Sequence, residues 1–251
     1  MRASHLTVRK RIMDEKSKIT DEELFTSKEY RGYLADITEA ATKRYRRPIH
    51  VTVFADPEDS TVAYTDYNGI VINACNHITW SMPTRKLRSM SIEGFNAHEN
   101  SHNLFTDNRI AHAYFNSLEH GKFYPKKPTR LKGDQKLNAQ GIIDALMDDT
   151  DPIPKTVILR TAKALSNILE DGYVDARYSY EFPGNPARGI ALNNVRFAEA
   201  VPDIDTMIDK QFYPHNIVLN LLLEYVRARE VNNLTGYTGE YMDRFLAALP
   251  L

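Results

Sequence analysis

Two histidines with the spacing of a metal site stand out in the sequence. His98, Glu99 and His102 are the fixed members of an H-E-x-x-H motif. On a helix, residues four apart lie one turn apart on the same face, so both imidazoles can bind one ion. Glu99 lies about 100° round the helix from His98, where it can act on a metal-bound water without being a ligand. The motif therefore predicts a zinc site formed by His98 and His102, with Glu99 as the general base.

A catalytic zinc site needs a third protein ligand, because three ligands and one water complete the tetrahedral coordination. The position six residues after His102 holds Asn108, which excludes the third histidine of the metzincin type. Some acidic residues and histidines follow the motif closely, but each is also explained as a surface polar residue. These less favoured candidates are Asp107, His112, Glu119 and His120.

A better candidate lies in a later segment, where the spacing predicts a helix over 155–180. Glu170 and Asp171 are adjacent there, and Asn167 and Asp175 lie at helical spacing from them. Adjacent carboxylates on a half-buried helix are costly unless a cation compensates for them, although a solvated acidic face paired with arginine is the alternative. We predict that Glu170 is the third ligand and that Asp171 or Asp175 accepts the N–H of a ligand histidine. Asn167 belongs to the same polar patch.

Two tyrosines on this segment are candidates for stabilising an oxyanion during hydrolysis. A tyrosine hydroxyl can donate a hydrogen bond to such a charge, which Tyr173 or Tyr178 would do here. Packing in the core or on the surface is the alternative for each.

The order of the predicted elements indicates an α+β fold. A helix predicted over 21–46 is followed by three short strands at 49–55, 61–65 and 69–74, with an Asn68-Gly69 hairpin signal between the last two. Strand 69–74 is predicted to be the edge strand that binds a substrate. The remaining helices are predicted at 84–106, 109–119, 136–148, 155–180, 203–212, 215–231 and 238–248.

These elements suggest a main domain with additions at both ends. We expect a flexible N-terminus over 1–20, a core over 21–182 and a helical C-terminal extension over 183–251 packed on that core. The sheet is expected to be small and antiparallel or mixed, with an active-site helix beside it and a mostly helical C-terminal half.

Composition and charge limit the classes of function. The chain has 251 residues, and 32 Lys and Arg against 33 Asp and Glu give a net charge of −1, which does not favour nucleic acid as a partner. Basic runs at 43–47 and 122–132 are explained by a helix C-terminus and a surface loop. The single cysteine, Cys75, excludes an intrachain disulfide and a cysteine-rich zinc module. Without a long apolar segment, no membrane association and a cytoplasmic location are expected.

The two motifs together resemble the zincin metallopeptidases of the gluzincin kind. They are most similar to the metallopeptidase-like domain that occurs in bacteria and phages ahead of von Willebrand factor A domains and is related to cobalt-chelatase subunits. The resemblance covers residues 50–180 and implies a zincin-like fold, with His98, His102 and Glu170 as zinc ligands and Glu99 as the base. Asp171 matches the acidic residue after the third ligand. The long separation of the motifs and the absence of an Asp-x-Ser-x-Ser motif depart from the pattern.

The function predicted from the sequence is zinc-dependent hydrolysis of peptide bonds in a peptide or protein substrate. The alternative is a metal-binding interaction or assembly module with little or no hydrolysis. Such a module would work with an ATPase or a von Willebrand-type partner, as the resemblance implies.

Overall fold

The computed structural model describes residues 5–14, 16, 18–42 and 49–249. The basic run at 43–47 lies outside these ranges. The helices are α1 (His5–Met13), α2 (Asp21–Phe25), α3 (Lys28–Thr42), α4 (His77–Trp80), α5 (Arg85–Phe105), α6 (Asn108–Glu119), α7 (Asp134–Met147), α8 (Pro152–Glu181), α9 (Asn185–Ala200), α10 (Ile204–Asp209), α11 (Pro214–Ala228) and α12 (Glu240–Ala248). The strands are β1 (His50–Phe54), β2 (Ala63–Thr65) and β3 (Gly69–Asn73). The structure is therefore mixed α+β, mostly helical with one small sheet, as predicted.

The chain forms two compact units. One comprises residues 1–106 and 170–251, and the other comprises residues 107–169. The segment 183–251, which was predicted to pack on the core, belongs to the first unit, where α9 packs closely on α5. The segment 1–20, which was predicted to be flexible, includes α1. Val8 and Ile12 of α1 lie one turn apart and are both buried in the main apolar cluster of the first unit.

The sheet has the order β1-β3-β2. β1 runs parallel to β3, and β2 runs antiparallel to it, with Val51 opposite Ile70 and Ala63 opposite Ile72. The prediction of strand 69–74 as the edge is wrong, because β3 is paired on both sides. Its apolar side chains explain the central position, since Ile70 and Ile72 are fully buried. The short strand β2 is an edge of this sheet, and Asn103 of α5 donates a hydrogen bond to its Thr65.

Helix α5 lies at the centre of the first unit. Its N-terminus is capped by Thr84, whose hydroxyl accepts a hydrogen bond from the Leu87 amide. One side of the helix contributes Ile92 and Phe95 to the main apolar cluster, together with residues of α1, α3 and the sheet. Because burial of these residues removes apolar surface from water, α5 is fixed in the core. The histidines of the motif therefore project from a rigid support.

The crossing of α5 and α9 depends on two glycines. A Cβ atom added at Gly94 would lie 2.3 Å from the Gly189 carbonyl carbon, and one added at Gly189 would lie 2.2 Å from the Met90 oxygen. Real Cβ atoms do not approach backbone atoms this closely, so the helices must separate to admit a methyl group. Gly94 lowers the helix propensity of α5 and permits this contact.

We expect Gly94→Ala to lower the free energy of unfolding by about 1–3 kcal/mol or more, because the added methyl overlaps backbone atoms that cannot rotate away. The matched control is Gly32→Ala in α3, where an added Cβ meets no atom within 4 Å. This control should gain about 0.5–1 kcal/mol from helix propensity alone. Urea unfolding of both variants measures the difference. Equal stabilities would show that the crossing tolerates a side chain.

Candidate metal centre

The two histidines of the motif face the same space. Both lie on α5, and their ring centroids are 4.9 Å apart with the planes perpendicular. The side chains are partly buried, with about one sixth of each surface exposed (16% and 17%). The i, i+4 spacing therefore places the rings as the motif predicted, on a helix that runs unbroken from Arg85 to Phe105.

Asp171 of α8 completes a group that can hold a metal ion. One ligand atom from each of His98, His102 and Asp171 lies within 4.8 Å of the others. Asp171 Oδ1 is 3.3 Å from His102 Nε2 and 3.9 Å from His98 Nε2. Ligand atoms bonded to one tetrahedral ion at about 2.0–2.2 Å lie roughly 3.3–3.6 Å apart. The 3.3 Å distance lies in this range and the 3.9 Å distance is slightly longer, so the three atoms are near enough to bind one ion.

The third member of this group is Asp171, where the sequence had predicted Glu170. One residue turns a helix by about 100°, so adjacent carboxylates on α8 cannot both point at the histidines. Glu170 is partly buried and does not belong to the group, and Asn167 is exposed. Asp175 follows Asp171 by one turn and is buried on the same side.

The other ring nitrogens of the histidines also have partners. His98 Nδ1 lies 2.7 Å from Asp175 Oδ1, and His102 Nδ1 lies 3.1 Å from Thr106 Oγ1. Metal-binding histidines typically donate the remaining N–H to a carboxylate or hydroxyl, which fixes the tautomer and the ring orientation. Both Nε2 atoms are thereby presented to Asp171. The contact of Asp175 is of the kind that the sequence analysis predicted for it.

A set of outer hydrogen bonds connects the two aspartates through residues that the sequence analysis missed. Arg227 Nη2 of α11 donates to Asp171 Oδ2 at 2.5 Å, and Arg227 Nη1 donates to Asn194 Oδ1 at 2.7 Å. Asn194 Nδ2 of α9 donates to Asp175 Oδ2 at 2.9 Å. The chain of contacts starts at His98, passes through Asp175, Asn194 and Arg227, and returns to the histidines at Asp171.

The charges of the centre shift the pKa of several groups. Burial lowers the pKa of His98, but Asp175 and Asp171 outweigh it and raise the value to about 9. Burial raises the pKa of Asp171, but its hydrogen bond with His102 and the charges of His98 and Arg227 bring the net pKa below its ordinary value. Burial also raises the pKa of Glu99, an effect that the nearby histidines partly oppose. A raised pKa suits a carboxylate that must accept a proton near neutral pH.

A pocket of ≈ 170 Å³ adjoins the centre. His98, Glu99 and Asp175 contribute to its wall, and Arg227 lies beside them. The remaining lining residues are mostly apolar or amide side chains from the β2 region, α5 and α9: Val62, Ala63, Gly94, Phe95, Ile190, Asn193, Asn194 and Phe197. The general-base candidate and one histidine therefore border the same cavity.

The two candidate tyrosines do not line this pocket. Tyr178 is buried, packs against Phe182, and has a pKa raised by burial to about 12. Tyr173 is half exposed, and its hydroxyl accepts a hydrogen bond from Arg177 at 2.7 Å. Each therefore has the packing or surface role that was the alternative.

The less favoured ligand candidates lie in the second unit, residues 107–169. Asp107 caps α6 and contacts Arg109, and His120 Nδ1 lies 2.7 Å from the Asn116 carbonyl oxygen. Among the described residues, the potential metal group contains none of the four.

Comparison of the chain with protein-family models, curated proteins and solved structures gave no match. The geometry of the centre is therefore the basis for the function proposed below. In the ranges that the structure describes, none of the helices combines the length and apolar character that a membrane span requires.

Proposed function

We propose that the protein is a zinc-dependent metallopeptidase. The observation that carries this proposal is the convergence of His98 Nε2, His102 Nε2 and Asp171 Oδ1 beside Glu99. Two histidines and one carboxylate are a common ligand set of hydrolytic zinc sites, and they leave a fourth position for water. Zinc, when bound, supplies a Lewis acid and lowers the pKa of its water to roughly 7.

The balance of charge supports a divalent cation at this position. The carboxylates of Asp171, Asp175 and Glu99 lie around the centre, and Arg227 is the permanently charged cation in contact with the two aspartates. Without metal, the raised pKa of His98 lets its imidazolium compensate for one carboxylate. Metal ligation requires both histidines to be neutral, and the three ionised carboxylates then leave two negative charges that Arg227 does not balance. Buried carboxylates without a compensating charge are costly, so a divalent ion removes the imbalance.

Glu99 is assigned the role of general base. It lies between the two ligand histidines on α5, lines the pocket with His98, and is 7% exposed. In this position it can take a proton from water held at the centre and later deliver it to the leaving amine. Burial keeps bulk water from competing for the carboxylate and raises its affinity for the proton.

The edge strand β2 is assigned to hold an extended substrate. Within the sheet, β2 pairs with β3 alone, and the pocket is bordered by Ala63 of β2 and the preceding Val62. A peptide can add to such an edge through main-chain hydrogen bonds, which fixes the chain without requiring one sequence. A motif-bearing helix packed beside a mixed sheet with a free edge supports the zincin-like fold that we propose.

The alternative function is a metal-containing assembly module. It is favoured by apolar side chains that are more than 40% exposed in the unit 107–169: Ile110, Leu137, Ile142, Met147, Ile153, Val157 and Leu169. Exposed apolar side chains mark an interaction site where they form one continuous patch. Such a module would bind zinc at the same centre and lack turnover.

The purified protein is expected to contain about one zinc ion per chain, because the centre offers one set of three protein ligands. His98→Ala and His102→Ala should each remove most of the metal. The control is His215→Ala on α11, whose ring stacks on Tyr213 away from the centre. Elemental analysis after dialysis and zinc reloading measures the content, and hydrolysis of a pooled peptide library measures turnover. Wild-type protein that cannot be loaded with any transition metal would contradict the proposal. Zinc binding without turnover on any peptide would support the assembly module instead.

A further inference from the structure

We propose that Arg227 is a positioning residue of the metal centre, which holds Asp171 so that a single oxygen faces the two histidines. The inference rests on the proposed metal site. It assigns a role to α11 and α9, which follow the motif by about a hundred residues in the chain.

The two oxygens of Asp171 have different partners. Oδ1 lies 3.3 Å from His102 Nε2, on the side of the ligand nitrogens. Oδ2 accepts a hydrogen bond of 2.5 Å from Arg227 Nη2. A charge-assisted hydrogen bond of this length occupies the second oxygen, so the carboxylate can bind an ion through Oδ1 alone. One-oxygen binding leaves room in the coordination shell for water.

Arg227 is itself held in place. Its Nη1 donates to Asn194 Oδ1 at 2.7 Å, and its guanidinium carbon lies 4.9 Å from the ring centroid of Phe197. Only 11% of its side chain is exposed. A planar guanidinium fixed by hydrogen bonds at both ends of its fork and by an aromatic face has little freedom to rotate. Asp171 is therefore paired with a rigid donor.

Arg227 is also connected to His98, through Asn194 and Asp175. Asn194 Nδ2 donates to Asp175 Oδ2 at 2.9 Å, and Asp175 Oδ1 lies 2.7 Å from His98 Nδ1. Removal of the guanidinium therefore frees Asp171 and loosens the support of the Asp175–His98 pair through Asn194. Loss of an outer partner typically weakens metal affinity about 10–100-fold.

The test compares zinc affinity, by competition with a chromophoric chelator, in Arg227→Met, Arg227→Lys and wild-type protein. Arg227→Met should bind zinc about 10–100-fold more weakly, and Arg227→Lys should recover part of the loss because it keeps one donor and the charge. The control is Arg196→Met on α9, whose partner is the exposed Glu199, and its zinc affinity should equal that of the wild type. Cobalt(II) replaces zinc for a second readout. The visible absorption of Arg227→Met should weaken as Asp171 binds through both oxygens and the coordination number rises.

Wild-type zinc affinity and an unchanged cobalt spectrum in folded Arg227→Met would overturn the inference. If Arg227→Met fails to fold, Arg227→Gln decides, because its neutral amide cannot make the charge-assisted hydrogen bond to Asp171 Oδ2 and Asn194 stays in place to support Asp175. Weakened zinc binding in Arg227→Gln supports the inference, and wild-type affinity overturns it. If the proposed metal site itself is wrong, the experiments give a different result. In that case wild-type protein binds no zinc, whereas failure of this inference alone leaves zinc binding that requires His98 and not Arg227.

Discussion

Replacement of Glu99 by glutamine is expected to lower the rate of peptide hydrolysis by on the order of a hundredfold or more, the usual scale for loss of a general base. Glutamine has nearly the same shape as glutamate but cannot accept the proton of the attacking water. Because Glu99 is outside the ligand group, the zinc content should stay at the wild-type level. Single-turnover hydrolysis together with metal analysis separates the two effects.

A matched control for this variant lies on the same helix. Glu93→Gln replaces another buried glutamate of α5 whose pKa is also raised by burial, and which accepts a hydrogen bond from Tyr33 away from the pocket. Its turnover should remain near the wild-type value. Equal activity in Glu99→Gln and wild-type protein would place the base elsewhere, and loss of zinc from Glu99→Gln would make Glu99 a ligand.

The neighbouring carboxylates of α8 give the second large expected effect. Asp171→Ala should weaken zinc binding by more than the roughly 10–100-fold that loss of an outer partner costs, because it removes a direct ligand. Glu170→Ala should leave zinc affinity within a few-fold of the wild type, since Glu170 is outside the group. The two substitutions remove similar charge one residue apart, so long-range electrostatics cannot explain a difference. Isothermal titration with zinc measures both.

If Glu170→Ala weakens zinc binding and Asp171→Ala does not, the third ligand is Glu170, as the sequence had predicted. It would require α8 to be rotated by about 100° from its position in the structure. Arg227 would then lose its contact with Asp171, so the zinc affinity of Arg227→Met distinguishes a rotated helix from an error at Asp171 alone.

The part of the centre that could be predicted from sequence is the local part. His98, Glu99 and His102 lie within two turns of one helix, so their relative positions follow from helix geometry alone. The face of α8 that points at the histidines was harder to predict. Leu169, the apolar neighbour of Glu170, is 54% exposed, whereas the buried residues Ile168, Val174 and Tyr178 define a face that includes Asp171. The choice between Glu170 and Asp171 as the third ligand depends on which face of the helix points at the histidines.

The roles of Asn194 and Arg227 could not be predicted, because they depend on contacts between segments that are far apart in the sequence. Helix α9 was absent from the predicted elements, since Gly189, Asn193 and Asn194 all have low helix propensity. Pro186 near its start was a helix signal that could have indicated it. Arg227 lies at the end of an apolar helix, where a cation is explained by the helix dipole. No local pattern connects it to Asp171.

The pairing of the strands in the sheet also depends on contacts between distant segments. The strands and the hairpin signal were predicted within a few residues, but not the pairing order. The parallel contact of β1 with β3 joins segments separated by β2, and periodicity carries no information about it. The prediction of β3 as an edge strand was therefore wrong, and β2 is an edge of the sheet in the described residues.

The closed ring of contacts from His98 to Arg227 has a consequence for synthesis of the protein. Ribosomes add residues in order, at roughly 5–20 per second, so the histidines of α5 emerge well before Asp171, Asn194 and Arg227. A nascent chain that ends before α11 contains the motif but lacks the guanidinium that fixes Asp171. The group of residues that can hold a metal ion is therefore complete only late in translation.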